Sequence, residues 1–321
     1  MKSTDELRTL VEQELYSLKY PGSPIELYSP IEYILSLGGK RMRPILLLLA
    51  HQLFDEDIQK AIKPSVAIEV FHNFTLLHDD IMDKAPVRRG KATVHTKWNE
   101  NVAILSGDAM LIQSYQYLCD LPPEQLTKCL AVFNKMALQV CEGQQYDMDF
   151  EIQAEVDMES YLKMIEYKTA VLLGAALKMG AIIAGSSDRE SDALYEFGRN
   201  IGIAFQLKDD LLDVFGDEQT FGKQLGGDII ANKKTCLYLK ALSLSEGEQK
   251  MELVNLYSSE SLNDTEKVEH VKSIYDSMDI QEHIDILIDD YYSKAMKSLN
   301  SINADLSELE LFASHLKKRE N

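Results

Sequence analysis

Apolar residues at three- and four-residue spacing recur from one end of this 321-residue chain to the other, and strand-like alternation is hard to find. A chain with that period must bury helix faces against helix faces. Glycine (16) and proline (8) are sparse, and no Gly/Ser/Pro linker or low-complexity stretch interrupts the pattern. The sequence therefore predicts an all-α fold, one large helical bundle domain over residues 1–321. Helical patterns cover 4–19, 28–37, 43–54, 60–83, 100–119, 123–150, 158–185, 189–214, 233–245, 246–257 and 263–299, with a terminal helix from 305. Turn chemistry marks the breaks, as in "YPGSP" (20–24), "LGGK" (37–40) and "GSSD" (185–188). Segments 84–99 and 216–234 read as polar, basic loops.

Charge narrows the function classes. Thirty-three basic against 52 acidic residues give a net charge of −19, which excludes a nucleic-acid or anionic-membrane binder, since both rest on a basic face. Cysteines 119, 129, 141 and 236 have neither disulfide-framework density nor metal-site spacing, and are expected as reduced core thiols in a cytoplasmic protein. The acidic, amphipathic start lacks a signal-peptide core, and the longest apolar stretches fall short of a membrane span, so no membrane insertion is expected.

Against that background "LLHDDIMD" (76–83) is anomalous. Asp79 and Asp83 stand one above the other on a helix, and like charges at that spacing weaken it by about 0.2–0.5 kcal/mol unless a cation sits between them. The pattern returns 130 positions later as "LKDDLLD" (207–213), with Asp209, Asp210 and Asp213. "DDYYSK" (289–294) has paired aspartates without the third carboxylate and reads as a solvated face. The two matched clusters differ from it because each has an apolar surround and is followed directly by a basic loop.

Oxygen-only ligands suit hard cations, and Mg²⁺ is usually held by one or two carboxylates with substrate phosphates completing its shell. Two helices offering such pairs can grip a phosphate–magnesium assembly. Arg88 and Arg89 after the first cluster, and Lys223 and Lys233 after the second, then contact phosphate oxygens. Upstream, "GGKRMRP" (38–44) supplies Lys40, Arg41 and Arg43 for a second anion, with Gly38 and Gly39 allowing close backbone approach. Taken alone, that motif is only a basic helix start and the Arg pair only surface. In this order they describe a central helical pocket for two phosphorylated ligands, one bound through Mg²⁺ and one through bare cations, with apolar walls for hydrocarbon.

These motifs, with "GDAML", "GQQYD", "YKTA" and "FQLKDDLLDVFGDEQTFGKQLGGDIIANKKT", make the chain resemble the trans-isoprenyl diphosphate synthases of the polyprenyl synthetase family over nearly its whole length. The resemblance implies the isoprenoid-synthase fold and condensation of isopentenyl diphosphate with allylic diphosphates by ionisation, condensation and elimination. It implies Asp79, Asp83 and Asp209 as magnesium ligands, with Asp80, Asp210 and Asp213 as further ligands or orienting groups. Gly39, Lys40, Arg43, His72 and Arg89 would hold isopentenyl diphosphate, and Arg88, Lys223 and Lys233 the allylic diphosphate. Lys168, Thr169 and Gln206 would face the developing cation, and the family is usually homodimeric. Without the family, His72 would read as a core histidine.

Phe71 and Phe74 precede Asp79 by eight and five residues, and Thr75 by four. In the resemblance a bulky aromatic there is similar to the floor of short-chain synthases, which favours a geranylgeranyl (C20) product with farnesyl (C15) second. Two departures stand out: Asn232 occupies a glycine position in "NKKT", where Asn tolerates positive φ, and "FASHLKKREN" replaces the family's usual basic, aromatic ending. The rival readings are a class I terpene cyclase, whose second metal motif differs from "DDLLD", and a non-catalytic synthase subunit, which would lack some of these residues.

Overall fold

The structure, a computed structural model, describes residues 1–216, 225–258 and 263–318. The chain divides into two compact units, one comprising Met1–Asn134, Ala175–Leu194 and Ala304–Glu308, the other Lys135–Gly174, Tyr195–Asn303 and Leu309–Asn321. Helices dominate both, as the period requires.

In the first unit, α1 (Thr4–Ser17), α2 (Ile25–Ser36), α3 (Met42–Gln52), α4 (Gln59–Met82) and α6 (Glu100–Gln116) form the framework. A capping box starts α1: the Ser3 hydroxyl accepts from the Glu6 N–H, and the Glu6 carboxylate accepts from the Ser3 N–H at 2.8 Å. Leu7, Val11 and Leu15, four apart, form its buried stripe. The α3 sequence "PILLLLA" is apolar on every side and buried on every side, against α1 and α4. Each fully buried leucine there contributes roughly 1.5–3 kcal/mol relative to exposure. α4 packs on α3 and α6, which holds the helix carrying the first aspartate cluster firmly along its length.

The predicted loop 84–99 is structured. β1 (Val87–Arg88) and β2 (Lys91–Ala92) pair antiparallel, and α5 (Val94–Lys97) follows. The turn residues Arg89 and Gly90 both have positive φ, 51° and 72°, matching the twist of a two-residue hairpin.

In the second unit, α7 (Pro123–Ile152, from Lys135 on) precedes α8 (Met158–Ile165). The predicted helix 158–185 is not continuous. Glu166–Ala170 forms a π-helical turn between α8 and α9 (Val171–Ile183), a distortion that side-chain periodicity does not register. α10 (Asp188–Phe215) carries the second cluster at its end, and α11 (Gly227–Ile230) lies within the predicted loop 216–234. α12 (Cys236–Leu244), α13 (Gly247–Ser258), α14 (Asp264–Ser277), α15 (Ile280–Ser298) and α16 (Ser307–Lys317) complete the chain. The predicted helix 263–299 is two helices, because Asp279 takes φ 52° and ends the helical path between them. α12 packs on α8 and α15 around Tyr161, Leu207, Leu211, Leu237, Tyr275 and Ile284.

The cysteine expectation needs correction: Cys129 and Cys236 are buried, but Cys119 and Cys141 lie at the surface. No helix among the described residues is long and apolar enough to cross a membrane.

Leu48, fully buried in α3, tests the packing claim. Leu48→Ala should cost about 2–5 kcal/mol, read as a lower denaturant midpoint with an unchanged m-value.

Candidate active site

Both aspartate clusters sit in the last turns of their helices, α4 and α10, and neither last turn carries a basic residue. A helix C-terminus already bears roughly half a negative charge. Carboxylates placed there oppose the dipole as well as one another, so the local electrostatics call for a cation at each helix end.

Within each cluster the aspartates have different tasks. Asp79 is half-buried and Asp83 exposed, whereas Asp80 is buried and gripped by Arg88, whose Nε donates to both carboxylate oxygens at 2.8 and 2.9 Å. Arg88 Nη2 stands 2.8 Å from the same carboxylate. The fork fixes the hairpin to the end of α4. In the second cluster Asp210 is the buried member. It accepts hydrogen bonds from the Tyr161 hydroxyl and from Gln206 Nε2 at 3.2 Å, and the buried Cys236 thiol lies beside it. Burial and the nearby charge of Asp228 push its carboxyl up to about 7, against those hydrogen bonds. Asp213 accepts the Asp228 N–H at 3.0 Å, which fixes α11 beside it.

The basic residues of the first unit form one cluster. Positive φ at Gly38 (75°), Gly39 (140°) and Arg41 (50°) folds "GGKR" into a tight turn. A Cβ on Gly39 would lie 2.9 Å from Arg89 Nη2, so only glycine lets that guanidinium lie along the turn, where it donates to the Gly38 carbonyl. Arg43 Nη1 donates to His72 Nε2 at 3.1 Å. Burial, then the charges of Arg43, Arg89, Arg88 and Arg41, hold the His72 pKa well below its ordinary value. His72 is therefore a neutral acceptor toward Arg43, with its proton on Nδ1. Burial lowers Arg43 to about 10 despite the attraction of Glu69. Among the described residues neither Arg43 nor Arg89 has a carboxylate within salt-bridge distance, which leaves an excess of positive charge that an anion would neutralise.

Arg41 corrects an expectation. Its guanidinium is buried, donating to Glu69 Oε1 at 2.6 Å and to the Leu35 carbonyl at 2.7 Å, so it braces the turn instead of offering donors to a ligand. Lys40 is exposed on the turn. Lys223 lies outside the described residues.

The π-helical turn presents "YKTA". Gly143 makes this possible, since a Cβ there would lie 2.3 Å from the Lys168 backbone nitrogen, and α7 packs directly against the turn. Lys168 is half-buried, and its Nζ pairs with Asp147 at 2.5 Å. Thr169 Oγ1 donates to Gln206 Oε1 at 3.4 Å. Lys233 stands 3.8 Å from Asp228.

On α4, Thr75 and His72 share the face of Asp79 and Asp83 by helical spacing. Phe74 belongs to a neighbouring strip with Phe71 (ring centroids 5.6 Å) and His78 (4.8 Å), and Phe71 meets Phe133 at 5.1 Å. Phe71 and Phe74 are buried, and Thr75 donates to the His72 carbonyl at 2.8 Å.

Sequence reasoning did not single out Glu69, Asp147, Tyr161, Asp228 or Cys236. "GQQYD" and "GGDII" were signals for two of them, each an acidic residue close to a glycine within a quoted motif. A groove of about 410 Å³ beside α14 and α15 is lined by Asp276, Asp279, Glu282, Asp285 and Asp289, and holds none of the predicted site residues.

Carboxylate-bearing helix ends and an arginine-rich cationic cluster are the donor types that suit metal-borne and metal-free phosphate groups. The chain is a member of the polyprenyl synthetase family, whose profile matches residues 24–278, and is thus a trans-isoprenyl diphosphate synthase, a prenyltransferase. It is 43% identical over 220 residues to the geranylgeranyl diphosphate synthase of Methanosarcina mazei, covering 68% of each chain. A crystallised geranylgeranyl pyrophosphate synthase matches with TM-score 0.94 at 44% identity over 100% of both chains. The geranylgeranyl pyrophosphate synthetase of Pyrococcus horikoshii matches with TM-score 0.92 at 33% identity, over 99% of this chain and 97% of that one.

Asn232 does take positive φ, 56°, and its carboxamide oxygen accepts from the buried Lys267 ammonium of α14. Asn232→Gly relieves the backbone yet strips that acceptor from a buried donor, a loss of roughly 1–3 kcal/mol. The variant should melt below the parent, and adding Lys267→Met should recover the difference in a thermal scan.

Proposed function

We propose that this enzyme condenses isopentenyl diphosphate with dimethylallyl, geranyl and farnesyl diphosphates, in the presence of Mg²⁺, to give geranylgeranyl diphosphate. The observation that carries the reading is on α4 and its neighbouring turns: one face offers carboxylates for a metal-borne diphosphate, while Arg43, His72 and Arg89 offer metal-free recognition of another. The names of the relatives support the C20 product.

The donor set fits magnesium by its chemistry. No three acidic, histidine or cysteine side chains converge as a metal cage among the described residues, but a cation completed by substrate phosphates needs only one or two carboxylates from each helix end. Asp79, Asp83, Asp209 and Asp213 would hold it, with Asp228 as an added carboxylate. Asp80 and Asp210, already engaged by Arg88 and Tyr161, act as orienting groups. When bound, Mg²⁺ supplies Lewis-acid neutralisation of the leaving diphosphate.

On this reading Arg88, Lys223 and Lys233 hold the allylic diphosphate, and Gly39, Lys40, Arg43, His72 and Arg89 hold isopentenyl diphosphate. The allylic C–O bond breaks with its electron pair passing to diphosphate. The oxygens of Lys168, Thr169 and Gln206 stabilise the resulting cation by fixed dipoles. The isopentenyl double bond supplies the electron pair of the new C–C bond, and a proton is lost to the released diphosphate. Residues 1–321 are read as a single catalytic domain, and the family match runs from residue 24 to 278. Exposed Leu105 and Ile112 on α6 support a homodimer, and four free cysteines support a cytoplasmic location.

Incubation with Mg²⁺, labelled isopentenyl diphosphate and each allylic primer in turn should yield, after dephosphorylation, a discrete linear C20 alcohol. Release of diphosphate without isopentenyl incorporation would instead indicate a cyclase. Phe74→Ala should shift the chromatogram to longer alcohols, and an unchanged chain length would remove Phe74 as the floor.

A further inference from the structure

Asp210 is held from elements other than its own helix. Tyr161 donates to it from α8, and the thiol of Cys236, the first residue of α12, lies beside it, all three side chains being buried. Tyr161 and Cys236 are both held in their protonated forms, since burial pushes the phenol and the thiol far above their ordinary values. The Asp210 oxygens both act as acceptors, Oδ2 toward Tyr161 and Oδ1 toward the neighbouring Gln206 carboxamide, which turns its NH₂ to it. Gln206 Nε2 donates to Oδ1 at 3.2 Å.

The consequence passes along the chain. With its NH₂ committed to Asp210, Gln206 presents Oε1 to Thr169, and the Thr169 hydroxyl donates its one proton there. The lone pairs of Thr169 Oγ1 are then turned away from Gln206. A reversed amide would aim an N–H at Thr169 and set the Gln206 carbonyl against the Asp210 carboxylate. Thr169 would be free to rotate its proton toward the space its lone pairs now face, where a hydroxyl hydrogen would repel a cation.

We propose that Tyr161 and Cys236 are positioning residues for catalysis, which act through Asp210 and Gln206 to set the hydroxyl rotor of Thr169 so that it presents only lone pairs to the developing allylic cation. The proposal rests on the assignment of Thr169 and Gln206 to the reacting centre made above. It gives Asp210 a role distinct from that of the aspartate beside it: Asp209 is placed toward the metal, and Asp210 toward the interior as the fixed pole of the relay. It also accounts for the order of the two motifs, since "YLKMIEYKTA" carries the anchor Tyr161 and the acting Thr169 eight residues apart, on either side of the start of the π-helical turn.

The test is a double-mutant cycle on the full-length enzyme, with kcat and both KM values measured under saturating Mg²⁺. A hydrogen bond to a charged group corresponds to about tenfold to a hundredfold in rate, so Tyr161→Phe should lower kcat by that much while both KM values stay within about twofold. Thr169→Val should itself lower kcat. In the Thr169→Val background, where no rotor remains to be set and only the Gln206 amide is still oriented, Tyr161→Phe should cost several-fold less than in the parent. Cys236→Ser, which keeps a donor, should retain more activity than Cys236→Ala. A purely structural role for Tyr161 would give additive losses in the cycle, and additivity overturns the proposal, as does a Tyr161→Phe enzyme with unchanged kcat. If Thr169→Val alone leaves kcat intact, the assignment of Thr169 to the reacting centre fails and the relay falls with it. Additive losses beside an impaired Thr169→Val would reject the relay alone.

Discussion

Negative charge gathered at the negative ends of two helices is the constraint on which the rest of this protein turns. Asp79 and Asp83 close α4, and Asp209, Asp210 and Asp213 lie in the last turns of α10, with no basic side chain in either last turn. Such an arrangement is unfavourable twice over, through like-charge repulsion and through the helix dipole. It persists because the burial of α3, α4 and the second unit's core outweighs it many times. The packed helices store a field that folding alone cannot relieve.

In each cluster one carboxylate is buried against donors from another element, while its neighbours lie nearer the surface. Asp80 is taken by Arg88, and Asp210 by Tyr161 and Gln206, with the Cys236 thiol beside it. Each inward bond ties the helix end to a second element, the β1–β2 hairpin in one unit and α8 with α12 in the other. A buried carboxylate with these partners is an anchor. The same division appears among the cations: Arg41 is spent on Glu69 while Arg43, two residues on, stands against neutral His72.

The all-helical class, most helix positions and both aspartate clusters were legible because they follow from spacing, and side chains three or four apart share a face wherever the helix lies. The π-helical turn at 166–170 and the break at Asp279 were not, since neither alters the apolar period enough to see. Arg41 and Arg43 look alike in "GGKRMRP", as do Asp79 and Asp80 in "HDD", and no local rule separates them. Asn232 was legible as a residue able to take positive φ, but its Lys267 partner, 35 positions away, was not.

By itself, then, the sequence determined the helical architecture, the chemistry of hard-cation and phosphate recognition, and the candidate residues, because periodicity and side-chain type are properties of short stretches. Tertiary structure alone decided which member of each pair is buried and which stays nearer the surface. That choice depends on what packs against it from elsewhere in the chain: Glu69 for Arg41, the hairpin for Asp80, Tyr161 and Cys236 for Asp210. Desolvation is the physical reason, since a charge removed from water must find its partner within the fold, and only the remaining charge is left to bind.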